Sequence, residues 1–220
     1  MIDFISLNVS GFHDEPISNM YFQQKTPPDR LAIFLPGMGY TCDRPLLYYP
    51  TQWLIDQGTD VFWVEYNYVR QPEYMMLPER ERAKWTFADV SAACQAVLSQ
   101  RAYQQVILVG KSLGTLAMGH LLRSGILGDA LTLIWLTPLL HNAWLRERIS
   151  EDGRPGLFIS GTADPHFDTQ GMADASQTAG SEVLLIEGAD HSLEIAGDLW
   201  STLQTLEQVM RSVTRFIQNT

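Results

Sequence analysis

The chain has 220 residues, with 25 acidic against 15 basic side chains and 45% hydrophobic residues, enough length and apolar material for one domain, residues 1–220, with a well-covered core. A net charge of −10 repels phosphate backbones and anionic lipid, so neither nucleic acid nor a membrane surface is an expected partner. With 18% charged and 10% aromatic residues, the composition is also not that of a disordered chain.

In chain order, short apolar runs bounded by turn residues predict strands at Leu31–Leu35, Val61–Val64, Val106–Val109, Leu131–Leu136, Leu157–Ile159 and Val183–Ile186. Most are continuous rather than alternating, as expected when both faces of a sheet carry helices. Phe4–Val9 and Met20–Gln24 add antiparallel edge strands. Between the runs lie predicted helices at about Pro45–Gln57, Thr86–Gln100, Leu113–Arg123, Asp168–Thr178 and Leu199–Ile217, the last with an apolar stripe at helical spacing. Alternation of this kind predicts an α/β fold with a mostly parallel central sheet. Two connections are long. Tyr66–Trp85 and Pro138–Gly156 each read as a short extra helix with a solvated face or as a substrate flap.

The most apolar stretch, Ile126–Leu140, is interrupted by Asp129 and is shorter than the roughly 18–20 residues of a membrane span. Two cysteines, Cys42 and Cys94, are too few for a disulfide framework, and the N-terminus lacks a basic segment followed by an apolar one. A cytoplasmic protein is expected.

The chemistry concentrates in four loops. Gly110-Lys111-Ser112-Leu113-Gly114 joins a strand-like run to a helix-like one. Such a tight strand-to-helix turn holds a serine on strained backbone with Oγ projecting from the carboxyl edge of the sheet, which makes Ser112 the candidate nucleophile. Ser112 as a plain helix cap is the simpler reading, and the two flanking glycines argue against it. The letters Gly-Lys-Ser also end a phosphate-binding loop, but that motif needs glycine at position 105, where Gln105 stands.

A serine hydroxyl needs a base, and the base an orienting acid. His191 lies just past Val183–Ile186, in a carboxyl-edge loop on the same side as Ser112. His166 is its rival; His120, inside a predicted helix, is expected to pack or bond a carbonyl. Asp164 follows Leu157–Ile159 and is the expected acid, whereas Asp168 suits a helix N-cap and Asp190 is too near His191 in sequence to cradle its ring. The order Ser112, Asp164, His191 matches the Ser, Asp or Glu, His order of α/β-hydrolases. Pro36-Gly37-Met38-Gly39-Tyr40 supplies backbone donors: the N–H groups of Met38 and Leu113 are expected to form an oxyanion hole. Tyr40, Lys111 and His166 are expected to line the substrate site, with Met38, Met75 and Met76 as apolar lining or as core fillers. Asp164, His166 and Asp168 form a weak D-x-H-x-D metal pattern that nothing else in the chain completes, so neither metal nor cofactor is expected.

With these residues in place the sequence resembles the α/β-hydrolase superfamily from about Leu31 to Phe216, with Ser112 at its nucleophile elbow. Within it, the chain is similar to small hydrolases of the carboxylesterase and dienelactone-hydrolase kind, although the latter carry cysteine where Ser112 stands. Pro36-Gly37 replaces the His-Gly of many esterases, and Glu65-Tyr66-Asn67-Tyr68 replaces a frequent Asp-x-Arg-Gly turn. The resemblance implies a serine hydrolase of small esters or thioesters. Acyl transfer or lactone opening on the same triad, and a non-catalytic binding protein on a hydrolase scaffold, are the alternatives. The roughly 20 residues between Leu136 and Leu157 leave no room for a large lid.

Overall fold

The structure, a computed structural model, describes residues 2–220. Eight strands form one sheet: β1 (Ile2–Ile5), β2 (Asn19–Gln24), β3 (Arg30–Leu35), β4 (Asp60–Val64), β5 (Gln105–Lys111), β6 (Leu131–Leu136), β7 (Gly156–Gly161) and β8 (Glu182–Ile186), in spatial order β1-β2-β4-β3-β5-β6-β7-β8. The pairings β1–β2 and β2–β4 are antiparallel, and every later pairing is parallel. Seven α-helices accompany it: α1 (Pro45–Asp56), α2 (Pro72–Met76), α3 (Glu79–Leu98), α4 (Leu113–Ser124), α5 (Ala143–Asp152), α6 (Thr169–Ser176) and α7 (Leu199–Gln218).

The continuous apolar runs are explained by two cores, one on each face. Along β3, Leu31, Ile33 and Leu35 enter one cluster and Ala32 and Phe34 the other; along β5, Val106 and Leu108 oppose Ile107 and Val109 in the same way. Strand side chains alternate between faces, so a strand covered on both sides must be apolar at every position. Helices α1 and α7 pack together on one face, whereas α3, α4, α5 and α6 form a contiguous layer on the other. Among the described residues no helix is long and apolar enough to cross a membrane.

Two elements differ from expectation. The first strand is Ile2–Ile5 rather than Phe4–Val9, because the Asn19 side chain takes both the N–H and the carbonyl of Leu7, each at 2.8 Å, and draws that segment out of the ladder. Helix α3 starts at Glu79, seven residues before Thr86. Its first turns are charged (Glu79-Arg80-Glu81-Arg82), with Glu81 pairing to Lys84 at 2.8 Å, and lack an apolar stripe to betray them. The two long connections take the extra-helix form, as α2 and α5.

One buried charge lay outside the sequence reading. Asp60, fully buried at the start of β4, accepts hydrogen bonds from Tyr21 Oη (2.7 Å), Tyr103 Oη (2.7 Å), the Gln24 N–H (2.7 Å) and Arg101 (3.0 Å). It ties β2, β4 and the segment before β5 at the amino edge, far along the strands from the candidate site. Removing one partner of a buried ion pair strands the other, so Asp60→Ala is expected to lower unfolding free energy by about 3–5 kcal/mol. Urea denaturation showing a loss below about 1 kcal/mol would mean that this cluster does not anchor the edge.

Candidate active site

The parallel register sets the site's dimensions. Leu35 pairs with Gly110, Lys111 with Leu136, and Gly161 with Ile186, so the loops that leave these strands emerge side by side at one edge. Ser112 follows β5 with φ 52° and ψ −114°, the left-handed region that a serine occupies only under strain. No side-chain cap bond links it to α4, so it is not the plain N-cap. The glycine at the far end of the elbow is sterically required: a Cβ on Gly114 would stand 2.0 Å from the Leu35 carbonyl oxygen. The start of α4 therefore lies directly against the end of β3.

The Pro36–Tyr40 loop follows β3 and folds back on itself, Gly37 and Tyr40 exchanging backbone hydrogen bonds at 3.1 and 3.4 Å, which leaves Met38 at the tip. A Cβ on Gly37 would lie 3.3 Å from Ser112 Cβ, so the loop rests on the Ser112 turn. Leu113 opens α4, where a backbone N–H has no acceptor within its own helix. The loop is braced from behind by Tyr66, whose buried hydroxyl donates to the Pro36 carbonyl at 2.7 Å. Tyr66 in turn begins a stack through Tyr68 (centroids 4.9 Å) and Tyr74 (4.1 Å), and the Tyr68 hydroxyl donates to Asp89 at 2.7 Å. The Tyr66–Trp85 connection is thus an aromatic buttress.

Asp164 and His191 are brought together by a second close approach. A Cβ on Gly161, the last residue of β7, would stand 2.1 Å from the Ala189 carbonyl oxygen, and the Ala163 N–H donates to that same oxygen at 3.0 Å. With the two loops in backbone contact, Asp164 Oδ2 reaches His191 Nδ1 at 2.7 Å while its Oδ1 accepts from the His166 N–H at 2.8 Å. The Asp164 side chain is 1% exposed and the His191 side chain 28%. Nδ1 must carry the proton in that bond, which leaves Nε2 as the ring's acceptor. Burial, and then the charge of Lys111, hold the imidazole below its ordinary pKa of 6.5 against the opposing pull of Asp164. Asp190 organises the loop instead of touching the ring, its Oδ1 accepting from the Ser192 N–H (2.7 Å) and the Glu194 N–H (3.0 Å). Among the described residues no hydrogen bond joins the Ser112 hydroxyl to His191.

Other expected site residues fall differently. Lys111 does not line the site: it is 1% exposed, because its strand position turns it inward beneath the loops. The Tyr40 hydroxyl accepts from the Leu46 N–H (3.1 Å) at the start of α1, and burial pushes that phenol up to about 12. His166 is exposed with its ring between those of His191 (5.0 Å) and His141 (5.4 Å). Asp168 caps α6 through the Gly171 N–H, and among the described residues no group of three His, Cys, Asp or Glu side chains is placed to hold a metal ion. His120 bonds Ser91 Oγ (2.9 Å) and stacks on Phe87, an N-to-hydroxyl contact rather than a carbonyl one. Met38, Met75 and Met76 are exposed and not core fillers. Tyr66 and the burial of Lys111 escaped the sequence; a lone lysine closing an apolar strand was the only signal.

A family model described as an alpha/beta hydrolase domain matches residues 28–218. No curated protein matches the sequence. Among solved structures, a protein of unknown function from Agrobacterium tumefaciens, described as a candidate α/β hydrolase, superposes with a TM-score of 0.74 at 15% identity over 99% of this chain and 97% of its own. An α/β serine hydrolase without a lid from Xanthomonas campestris gives 0.65 at 18% identity, over 96% and 94%. An esterase from Pyrococcus furiosus gives 0.73 at 12% identity, over 99% and 93%.

Because Asp164 is what holds the His191 pKa up against burial, Asp164→Asn is expected to lower that pKa further. Proton NMR titration of the His191 ring checks this, and an unchanged or raised value would mean that the 2.7 Å contact is not formed in solution.

Proposed function

This chain belongs to the α/β-hydrolase family, and from that premise we propose that it is a serine hydrolase of small esters or thioesters. The observation that carries the reading is the buried Asp164 carboxylate 2.7 Å from His191 Nδ1, at the same sheet edge as a serine held on strained backbone. A merely structural fold has no use for a strained serine at the same sheet edge as an oriented imidazole. The fold supports hydrolysis in general; a serine mechanism and an ester substrate are in keeping with the description of the Xanthomonas protein as a lidless serine hydrolase and of the Pyrococcus protein as an esterase.

In this reading the Ser112 hydroxyl moves within about 2.6–3.2 Å of His191 Nε2, gives up its proton there and attacks the substrate carbonyl carbon. Asp164 stabilises the imidazolium that forms and holds its tautomer. The negative oxygen of the tetrahedral intermediate accepts hydrogen bonds from the Met38 and Leu113 N–H groups, each such donor contributing about 2.7–4 kcal/mol of barrier lowering. Collapse expels the alcohol or thiol, which takes the proton from His191 and leaves Ser112 acylated. Water, deprotonated by the same imidazole, then attacks the acyl-enzyme, and the released acid restores the free serine.

Substrate size follows from what covers the site. Between β6 and β7 the chain supplies only α5, ten residues long, and the apolar side chains at the edge, Met38 (38% exposed) and Val69 (52%), stand open. Val69 Cγ2 lies 3.4 Å from where a Cβ on Gly39 would be, so it borders the oxyanion loop. Such a rim suits a short acyl group better than bulk lipid.

A fluorophosphonate probe is expected to label the wild type and not Ser112→Ala, with esterase kcat falling on the order of 10⁴-fold or more. Labelling that survives the substitution would remove Ser112 from the chemistry. The base must be neutral to act, so kcat/KM is expected to fall as pH drops through the His191 pKa, with its midpoint below 6.5. In a series of p-nitrophenyl esters the shortest chains are expected to turn over fastest; preference for the longest would overturn the small-substrate assignment.

A further inference from the structure

Lys111 sits within the nucleophile elbow, yet its side chain points neither to solvent nor to Ser112. Its ammonium is buried at 1% residue exposure and touches three other loops of the site. Nζ donates to the His191 backbone carbonyl at 2.8 Å and to Thr137 Oγ1 at 3.2 Å, and it lies 4.4 Å from the centroid of the Tyr40 ring. The ammonium thus makes two hydrogen bonds, to a carbonyl and a hydroxyl, and a cation–π contact with an aromatic face. Thr137, directly after β6, is itself held at φ 42°, and Tyr40 closes the turn whose tip is Met38.

Burying an ammonium costs several kcal/mol even after relaxation, whereas a leucine or methionine would fill the same space at no such cost. The charge is therefore the feature to explain. Around it stand Asp164 from the loop after β7, Asp190 and the His191 carbonyl from the loop after β8, and Tyr40 from the loop after β3; the His166 ring lies 5.0 Å from that of His191. Asp164 and Asp190 favour the charged form, and burial opposes them.

We propose that Lys111 is a positioning residue that pins the His191 and Tyr40 loops to the end of β5, and that its charge biases the His191 imidazole towards the neutral form able to take the Ser112 proton. This rests on the serine-hydrolase reading for its catalytic consequence, but its electrostatic part does not. The geometric part follows from the three contacts: a base whose carbonyl is tethered to the residue preceding the nucleophile cannot drift from it without breaking a charge-assisted hydrogen bond. The electrostatic part follows from placement: an ammonium 2.8 Å from the His191 carbonyl opposes a second positive charge on the ring of the same residue. Burial brings the Lys111 pKa down to about 8, so the clamp is charged at neutral pH and discharges in mild alkali.

The test is proton NMR titration of the His191 ring, identified by its loss in His191→Gln, in the wild type and in Lys111→Met, beside steady-state kinetics and fluorophosphonate labelling. Loss of the ammonium is expected to raise the His191 pKa and move the acid limb of kcat/KM upwards. It is also expected to lower kcat by on the order of 10- to 100-fold while KM changes little, as misplacement of a base does. In the wild type the His191 resonance is expected to show a second inflection near pH 8 as Lys111 loses its proton, absent from the variant. Lost stability with an unshifted His191 titration would reduce Lys111 to a packing residue and overturn the proposal. Should Lys111→Met fail to fold, the wild-type curve decides, since a His191 resonance with no second inflection anywhere in the alkaline range contradicts the coupling. A wild type that the probe does not label overturns the hydrolase reading alone, because the titration still judges Lys111.

Discussion

Everything at the candidate site depends on how close two loop backbones come where adjacent parallel strands end. Neighbouring strands lie about 4.8 Å apart, and the pairings Leu35 with Gly110 and Gly161 with Ile186 bring the loops beyond them into that same spacing. At Gly114 and Gly161 the approach is so tight that a Cβ would stand 2.0 and 2.1 Å from a neighbouring carbonyl oxygen. The first contact seats the Ser112 turn on the start of the Pro36–Tyr40 loop. The second lays the Asp164 loop on the His191 loop, so a carboxylate and an imidazole 27 residues apart come to share a 2.7 Å hydrogen bond.

Two kinds of support surround that edge. On one side Tyr66, stacked with Tyr68 and Tyr74, holds the Pro36 carbonyl from behind and so braces the Pro36–Tyr40 loop. Beneath, the Lys111 ammonium joins the β5 end to the His191, Thr137 and Tyr40 segments. The aromatic buttress sets position without charge, whereas the ammonium acts on both position and protonation. A site with only a short helix in place of a lid has little else to define its shape, so rigidity must come from behind and below.

Regular structure was legible because it is written locally. Six central strands appear as apolar runs such as Leu31–Leu35 and Leu131–Leu136, since a strand covered on both faces cannot alternate. The start of α3 was hidden because its first turns are charged and solvated, and the Leu7 segment left the first strand because Asn19 competes for its backbone. At the site, Ser112, Asp164 and His191 could be chosen from the loops that follow particular strands, and the structure places all three at one edge. The inward turn of Lys111, the Asp60 cluster and the brace from Tyr66 to Pro36 rest on contacts across 26 to 80 residues of chain, which no local pattern records.

By itself the sequence determined the six apolar runs that become β3 to β8, which loops follow them, and that the chain between Leu136 and Leu157 is too short for a large lid. Periodicity, turn residues and loop length are properties of neighbouring residues, so they survive without a fold. Only the tertiary structure decided that Lys111 is buried under the site instead of lining it, that Asp164 meets Nδ1 of His191, and that burial and Lys111 hold the imidazole pKa below its ordinary value. Those outcomes depend on which strands pair and how closely their loops then pack, and on the loss of water around charges once they do.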